Sequence, residues 1–216
     1  PLSTKIIQGT GAIPETLIHY GFGTLLLFYY NQVLGVSGTL CGYALGIAVF
    51  FDAINDPMVG SASDNFRSRL GRRHPFMYAA AIPVTLSYYF LWVPPADLTQ
   101  WQLFTYLLVC ATIIRVFITF YEVPSVALGP ELTDSYVDRT SLMSYRYFFG
   151  WFGGLTTYNL VWWVFEDKYE GGRTNPELWA EYGLIAALLI FKLTSAAAKP
   201  PASTTVLKTL SKRKSA

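Results

Sequence analysis

Long apolar runs broken by short polar stretches set the pattern of this chain. Six of them are long enough to be read as membrane-crossing helices, at about 17–36, 40–59, 76–92, 103–121, 147–165 and 178–193. A helix needs roughly 20 apolar residues to cross a bilayer. The first run is the weakest, because its apolar part carries His19 and two glycines. Residues 1–16 read as an N-terminal cytoplasmic segment. Residues 194–216 are rich in Lys, Ala, Pro, Ser and Thr, offer little to bury, and read as a disordered basic cytoplasmic tail.

The loops carry the orientation signal. Arg67, Arg69, Arg72 and Arg73 follow the second run, Arg139 follows the fourth, and Lys208, Lys212, Arg213 and Lys214 lie in the tail. The other side holds only Lys168 and Arg173. Basic loops stay inside, so these arginines and both termini are expected in the cytoplasm. Trp92, Trp101 and Trp179 fall at the opposite ends of their runs, where aromatic belts meet the headgroups. Gly42 and Gly46, and Gly150 and Gly154, have the small-xxx-small spacing that brings helices together.

Composition agrees with a membrane protein. Of 216 residues, 52% are hydrophobic and only 14% are charged, against about a quarter charged in soluble domains. The net charge of +2 gives no reason to expect nucleic acid. Cys41 and Cys110 lie in separate apolar runs and read as small packing residues. No basic segment followed by a short apolar core and a cleavage site opens the chain. It starts at Pro1 rather than Met, which reads as trimming or a fragment.

Against this background, Asp52, Asp56, Arg115 and Glu122 stand out within the runs. Each charge costs about 2.5–3.5 kcal/mol at the bilayer centre, so such residues face a partner or a cavity. Asp52 and Asp56, four apart, share a helix face. Two carboxylates that close in a low dielectric need a proton or a cation between them. Asn55 adds an amide oxygen, and Pro57 leaves the carbonyl of Ala53 without its helical partner. Together these could hold a small hard cation, or the acids could be wetted at a helix end. Arg115 could neutralise an acid of the second run, as a structural ion pair, or sit nearer the midplane in water. Asp64 with Gly60, and Gly71 before Arg72 and Arg73, mark a loop whose charges could brace a helix junction or simply hold it inside.

No enzyme signature competes. Asn55-Asp56 begins the aspartate ladder of membrane prenyltransferases, but Val59 and Ser63 stand where further acids belong. There is no HExxH, cysteine cluster or Ser-His arrangement, and no cofactor is expected.

Three stretches resemble the glycoside–pentoside–hexuronide:cation symporters, the melibiose permease group of the major facilitator superfamily. They are FDAINDPMVGSASDNFRSRLGRRHP at 51–75, YEVPSVALGPELT at 121–133 and DRTSLMSYRYFFGWFGG at 138–154. The resemblance covers about residues 20 to 191. It implies an all-α membrane protein, here the N-terminal six-helix half of a twelve-helix fold. A sugar would bind at the midplane between the halves, and a sodium ion or proton would be carried with it. It implies cation-site roles for Asp52, Asn55, Asp56 and Thr119, and a sugar-binding role for Glu122. Arg146, or Tyr147 in the aligned place, would approach the sugar. Gly60, Asp64, Arg67, Gly71, Arg72, Arg73 and Arg139 would belong to the inner gating loops. The expected partners are a sugar or glycoside, membrane lipid and a missing C-terminal half, in a bacterial inner membrane.

Three departures accompany the resemblance. The first helix looks shortened between Gly23 and Leu25, with loss of an acid that helps to bind sugar. Val126 replaces a sugar-stacking Trp. The second half is absent. Alternatives of the same fold are a carrier of lipid or another amphiphile, and a non-transporting truncated remnant.

Overall fold

The computed structural model describes residues 2–68, 72–131, 135–159, 161–162 and 168–199. These residues form an all-α bundle of six rods, with no strand among them, the architecture of a six-helix major facilitator half. The first rod is composite: α1 (Leu2–Thr10), α2 (Ala12–Tyr20), a π-helical turn Gly21–Leu25, α3 (Leu26–Phe28) and a second π-helical turn Tyr29–Val33. The others are α4 (Gly38–Asn65), α5 (His74–Trp92), α6 (Gln100–Glu131), α7 (Tyr136–Asn159) and α8 (Pro176–Ala197).

The first rod holds helix on both sides of the start expected for its span. Helix begins at Leu2 and runs, with local irregularities, to Val33. Around Gly23 the chain is wound as a π-turn. The break between α1 and α2 has a simple cause. Pro14 has no N–H for the carbonyl of Thr10, and the Tyr121 hydroxyl donates to the carbonyl of Gly11 at 2.8 Å.

Among the described residues, three helices are long and apolar enough to cross a membrane, within Gly38–Asn65, Gln100–Leu128 and Pro176–Ala197. The chain is an integral, multi-pass membrane protein. Helices α4 and α6 continue beyond their apolar runs into polar sequence. Hydropathy marks depth in lipid, whereas the helix ends where backbone hydrogen bonding ends. The tail beyond Lys199, the far end of the fifth run and Gly71 lie outside the described residues.

Helix α4 packs on α6, α5 on α6 and α8, and the first rod on α7 and α8. The inward face of α4 is a seam of small residues, Cys41, Ala44 and Ala48, continued by Val59 and Ser63. Asp52 and Asn55 fall in the same register between them, so the close contact with α6 carries them inward. On its other faces α4 presents Tyr43, Phe50, Phe51, Ile54 and Met58 outward. Exposed apolar surface on this scale belongs against lipid or protein.

The glycines divide. Gly153 and Gly154 of α7 lie against Thr16 and Tyr20 of α2, with no room for a Cβ atom, and Gly150 lies close to Thr16. A Cβ added at Gly42 or Gly46 would meet nothing within 4 Å. Their expected packing role is therefore not met within this chain, because they sit off the small-residue seam. The tryptophans are also corrected. Trp101 is exposed, but Trp92 and Trp179 are fully buried and stack on each other at 5.3 Å, with Tyr29, Tyr88 and Tyr182 around them. Gly183 makes the room, since a Cβ there would meet that of Trp92 at 2.6 Å.

At the opposite end, His74 Nδ1 lies 2.9 Å from the carbonyl oxygen of Ala198. Lys5 donates to Asp138 at 2.8 Å, and that hydrogen bond holds the exposed Asp138 carboxyl below its usual range. These contacts tie the N-terminal helix and the end of α8 to the loop ends of the bundle.

Candidate functional site

Helix α6 organises the polar interior. Arg115, Thr119, Glu122 and Ser125 follow one another at three- and four-residue spacing, so they form one stripe. Each meets a polar side chain from another helix.

At one end of the stripe lie the acids of α4. Arg115 Nη1 donates to Asp52 Oδ2 at 3.0 Å. The Thr119 hydroxyl lies 3.1 Å from Asp52 Oδ1 and 3.0 Å from Asp56 Oδ1. Asn55 donates through Nδ2 to the carbonyl of Val116 at 2.9 Å, which leaves its amide oxygen available. Asp52 is half-buried and Asp56 exposed. The structure thus gathers Asp52, Asn55, Asp56, Thr119 and Arg115 at the contact between α4 and α6.

One turn on, Glu122 Oε2 lies 3.3 Å from His19 Nε2 of α2. Beyond it, Arg146 of α7 donates through Nη2 to both oxygens of Glu15, at 2.7 and 2.9 Å. Its Nη1 donates to the Ser125 hydroxyl at 2.9 Å. Arg146 and Glu15 are only 7% exposed each. A carboxylate held through both oxygens by one guanidinium nitrogen, with a hydroxyl on the other, offsets part of the desolvation of a buried guanidinium.

These groups line a cavity of about 320 Å³ between α2, α6 and α7. Glu15, Glu122 and Arg146 supply its charge, and Tyr20, Tyr147 and Trp151 its aromatic walls. Val126 lines it as well. Such a mix of apolar wall and a few fixed polar groups suits a small polar molecule with an apolar face.

Glu15 is the residue that sequence reasoning missed. The hydropathy pattern leaves it in the N-terminal segment ahead of the first apolar run. Helix begins at Leu2, and Glu15 sits on it against Arg146 of α7. A signal exists in the chain: Glu15 and His19 are four apart, on one face of the helix. Trp151 is also missed by sequence reasoning; it brings an aromatic ring to the cavity where Val126 does not.

The loop residues are less tightly gathered. Arg73 is buried and donates to Asp64 at 2.8 Å. Gly60 lies within α4 near Val123. Arg67, Arg72 and Arg139 are exposed. Among the described residues no group of His, Cys, Asp and Glu has the arrangement of a metal centre.

A family profile described as MFS/sugar transport protein matches residues 7–207. The chain belongs to that family. It is a family of transporters rather than enzymes. The uncharacterized symporter sll1374 of Synechocystis sp. is 39% identical over 152 residues, which are 68% of this chain and 28% of that protein. The inner membrane symporter YicJ of Escherichia coli is 28% identical, over 70% of this chain and 33% of its own length. The putative glycoside/cation symporter YagG of Escherichia coli is 29% identical, over 71% and 33%. The chain spans about a third of the length of these relatives.

Proposed function

We propose that the complete protein is a cation-coupled symporter of a sugar or glycoside, of the melibiose permease group, and that this chain forms one wall of its pathway. The observation that carries the reading is the shared stripe on α6. The Thr119 hydroxyl lies within hydrogen-bond reach of both aspartates of α4, and Glu122, three residues on, lines the cavity. A cation held by Asp52, Asn55, Asp56 and Thr119 would therefore act within one helical turn of a bound sugar.

In this reading the carboxylates of Glu122 and Glu15 accept hydrogen bonds from sugar hydroxyls, and Arg146 donates to them. Tyr147 and Trp151 cover the apolar face of the ring, the kind of amphipathic contact that aromatic rings supply. A second six-helix half closes the site from the other side, and the two rock about it. Movement proceeds when both ligands or neither is bound. The pair of Asp64 and Arg73, with Gly60, Arg67, Gly71, Arg72 and Arg139, braces the inner end of one state. The membrane is a bacterial inner membrane, with the arginine-rich loops and both termini in the cytoplasm.

The test is uptake of a glycoside panel by proteoliposomes containing the complete protein. A glycoside that is accumulated should lose at least tenfold in uptake in Glu122→Gln, the scale expected when a charged acceptor of substrate hydroxyls is removed. Absence of uptake across the panel, or uptake indifferent to that substitution, would refute the reading.

A further inference from the structure

The ion site of this chain already contains a cation. Arg115 reaches from α6 to Asp52, and its guanidinium also lies over the ring of Phe22, 5.1 Å from the centroid. Its side chain is 13% exposed and that of Asp52 19%. Held by a carboxylate on one side and an aromatic face on the other, it is not an arginine reaching out towards headgroups.

The consequences for the two carboxylates differ. Asp52 is held through Oδ2 by Arg115, while its Oδ1 shares the one Thr119 hydroxyl proton with Asp56 Oδ1 and the carbonyl of Arg115. Asp56 is bonded through Oδ1 to the same Thr119 hydroxyl and has no basic partner among the described contacts. Two carboxylates and one guanidinium leave one net negative charge, where the acid pair alone would have two. A sodium ion between the acids needs several oxygens that no other cation holds. It would also stand beside a fixed positive charge that, unlike a lysine, cannot lose its proton.

We infer that Arg115 is a resident cation that takes the place of a coupling sodium, so that the Asp52–Asp56 site does not bind sodium while Arg115 holds Asp52. The inference rests on the cation-site part of the symporter reading and narrows it: transport by the complete protein is sodium-independent. At a separation of about 5 Å and an effective dielectric of about 20, a like charge weakens binding of a monovalent cation by about two orders of magnitude. Removing the guanidinium lifts that penalty and leaves two acids that favour a cation between them.

The experiment is thermal unfolding of the purified complete protein in sodium chloride against choline chloride at equal ionic strength. A ligand that binds the folded state raises the melting temperature in a saturable way. The wild type is expected to show no saturable sodium effect. Arg115→Gln should acquire one, with a sodium dissociation constant about 100-fold tighter than any wild-type value. Arg115→Lys, which restores a positive charge, should remain insensitive. A saturable sodium shift in the wild type overturns the inference. So does an Arg115→Gln protein that melts like the wild type in choline yet takes no sodium. Should Arg115→Gln not fold, the wild-type titration decides by itself. Glycoside-induced stabilisation, measured in choline, tests the sugar reading separately, so failure of one is distinguishable from failure of the other.

Discussion

The most exacting residues here are Glu15 and Arg146. Their ion pair is buried, bidentate and completed by Ser125. Removing one member of such a pair strands the other charge, at a cost of about 3–5 kcal/mol. Arg146→Ala is therefore expected to lower the melting temperature strongly. Replacing both partners, as in Glu15→Gln with Arg146→Gln, should recover part of the loss, because no unpaired charge remains. A double-mutant cycle by thermal or denaturant unfolding checks this, and additive losses would contradict it. His19 is held more loosely: it meets Glu122 at 3.3 Å, with both side chains partly exposed. Its replacement by Ala should alter stability by less than either single change at the Glu15–Arg146 pair.

Between elements, small residues decide how near two helices come. Gly183 of α8 faces the Cβ of Trp92, and Trp92 is fixed in a stack with Trp179. An added methyl has nowhere to go, so Gly183→Ala should destabilise the bundle by about 1–3 kcal/mol. Gly42→Ala on the open face of α4 meets nothing within 4 Å. In this chain it should be neutral or slightly stabilising, since Gly in a helix interior costs about 0.5–1 kcal/mol relative to Ala. Melting temperatures of the two variants in detergent make the comparison. Both glycines lie in apolar helices, and only packing tells them apart. The same holds for the tryptophans. Position near a run's end points to a headgroup belt for Trp92 and Trp179, but their neighbours across the first rod, α5 and α8 make them core.

Across the molecule, the cavity is walled by α2, α6 and α7 and open elsewhere, with Tyr147 73% and Trp151 65% exposed. Helix α4 likewise turns large apolar side chains outward. A one-sided pathway cannot alternate its access. Vesicles containing this chain alone are expected not to accumulate glycosides that vesicles with the complete protein do; accumulation by this chain alone would contradict that. Much of this arrangement could be read in the chain. Apolar run length dictated helices, because a backbone in lipid must satisfy its own hydrogen bonds. Charges within apolar runs marked Asp52, Asp56, Arg115 and Glu122, because charge in lipid is too costly to be idle. What the order of residues could not state was partnership. Whether Arg115 meets Asp52, whether Glu15 lies inside the bundle, and which glycines carry a contact depend on helices distant in sequence meeting at particular depths and rotations. Side-chain packing sets those depths and rotations, so the pairs emerged only with the tertiary structure.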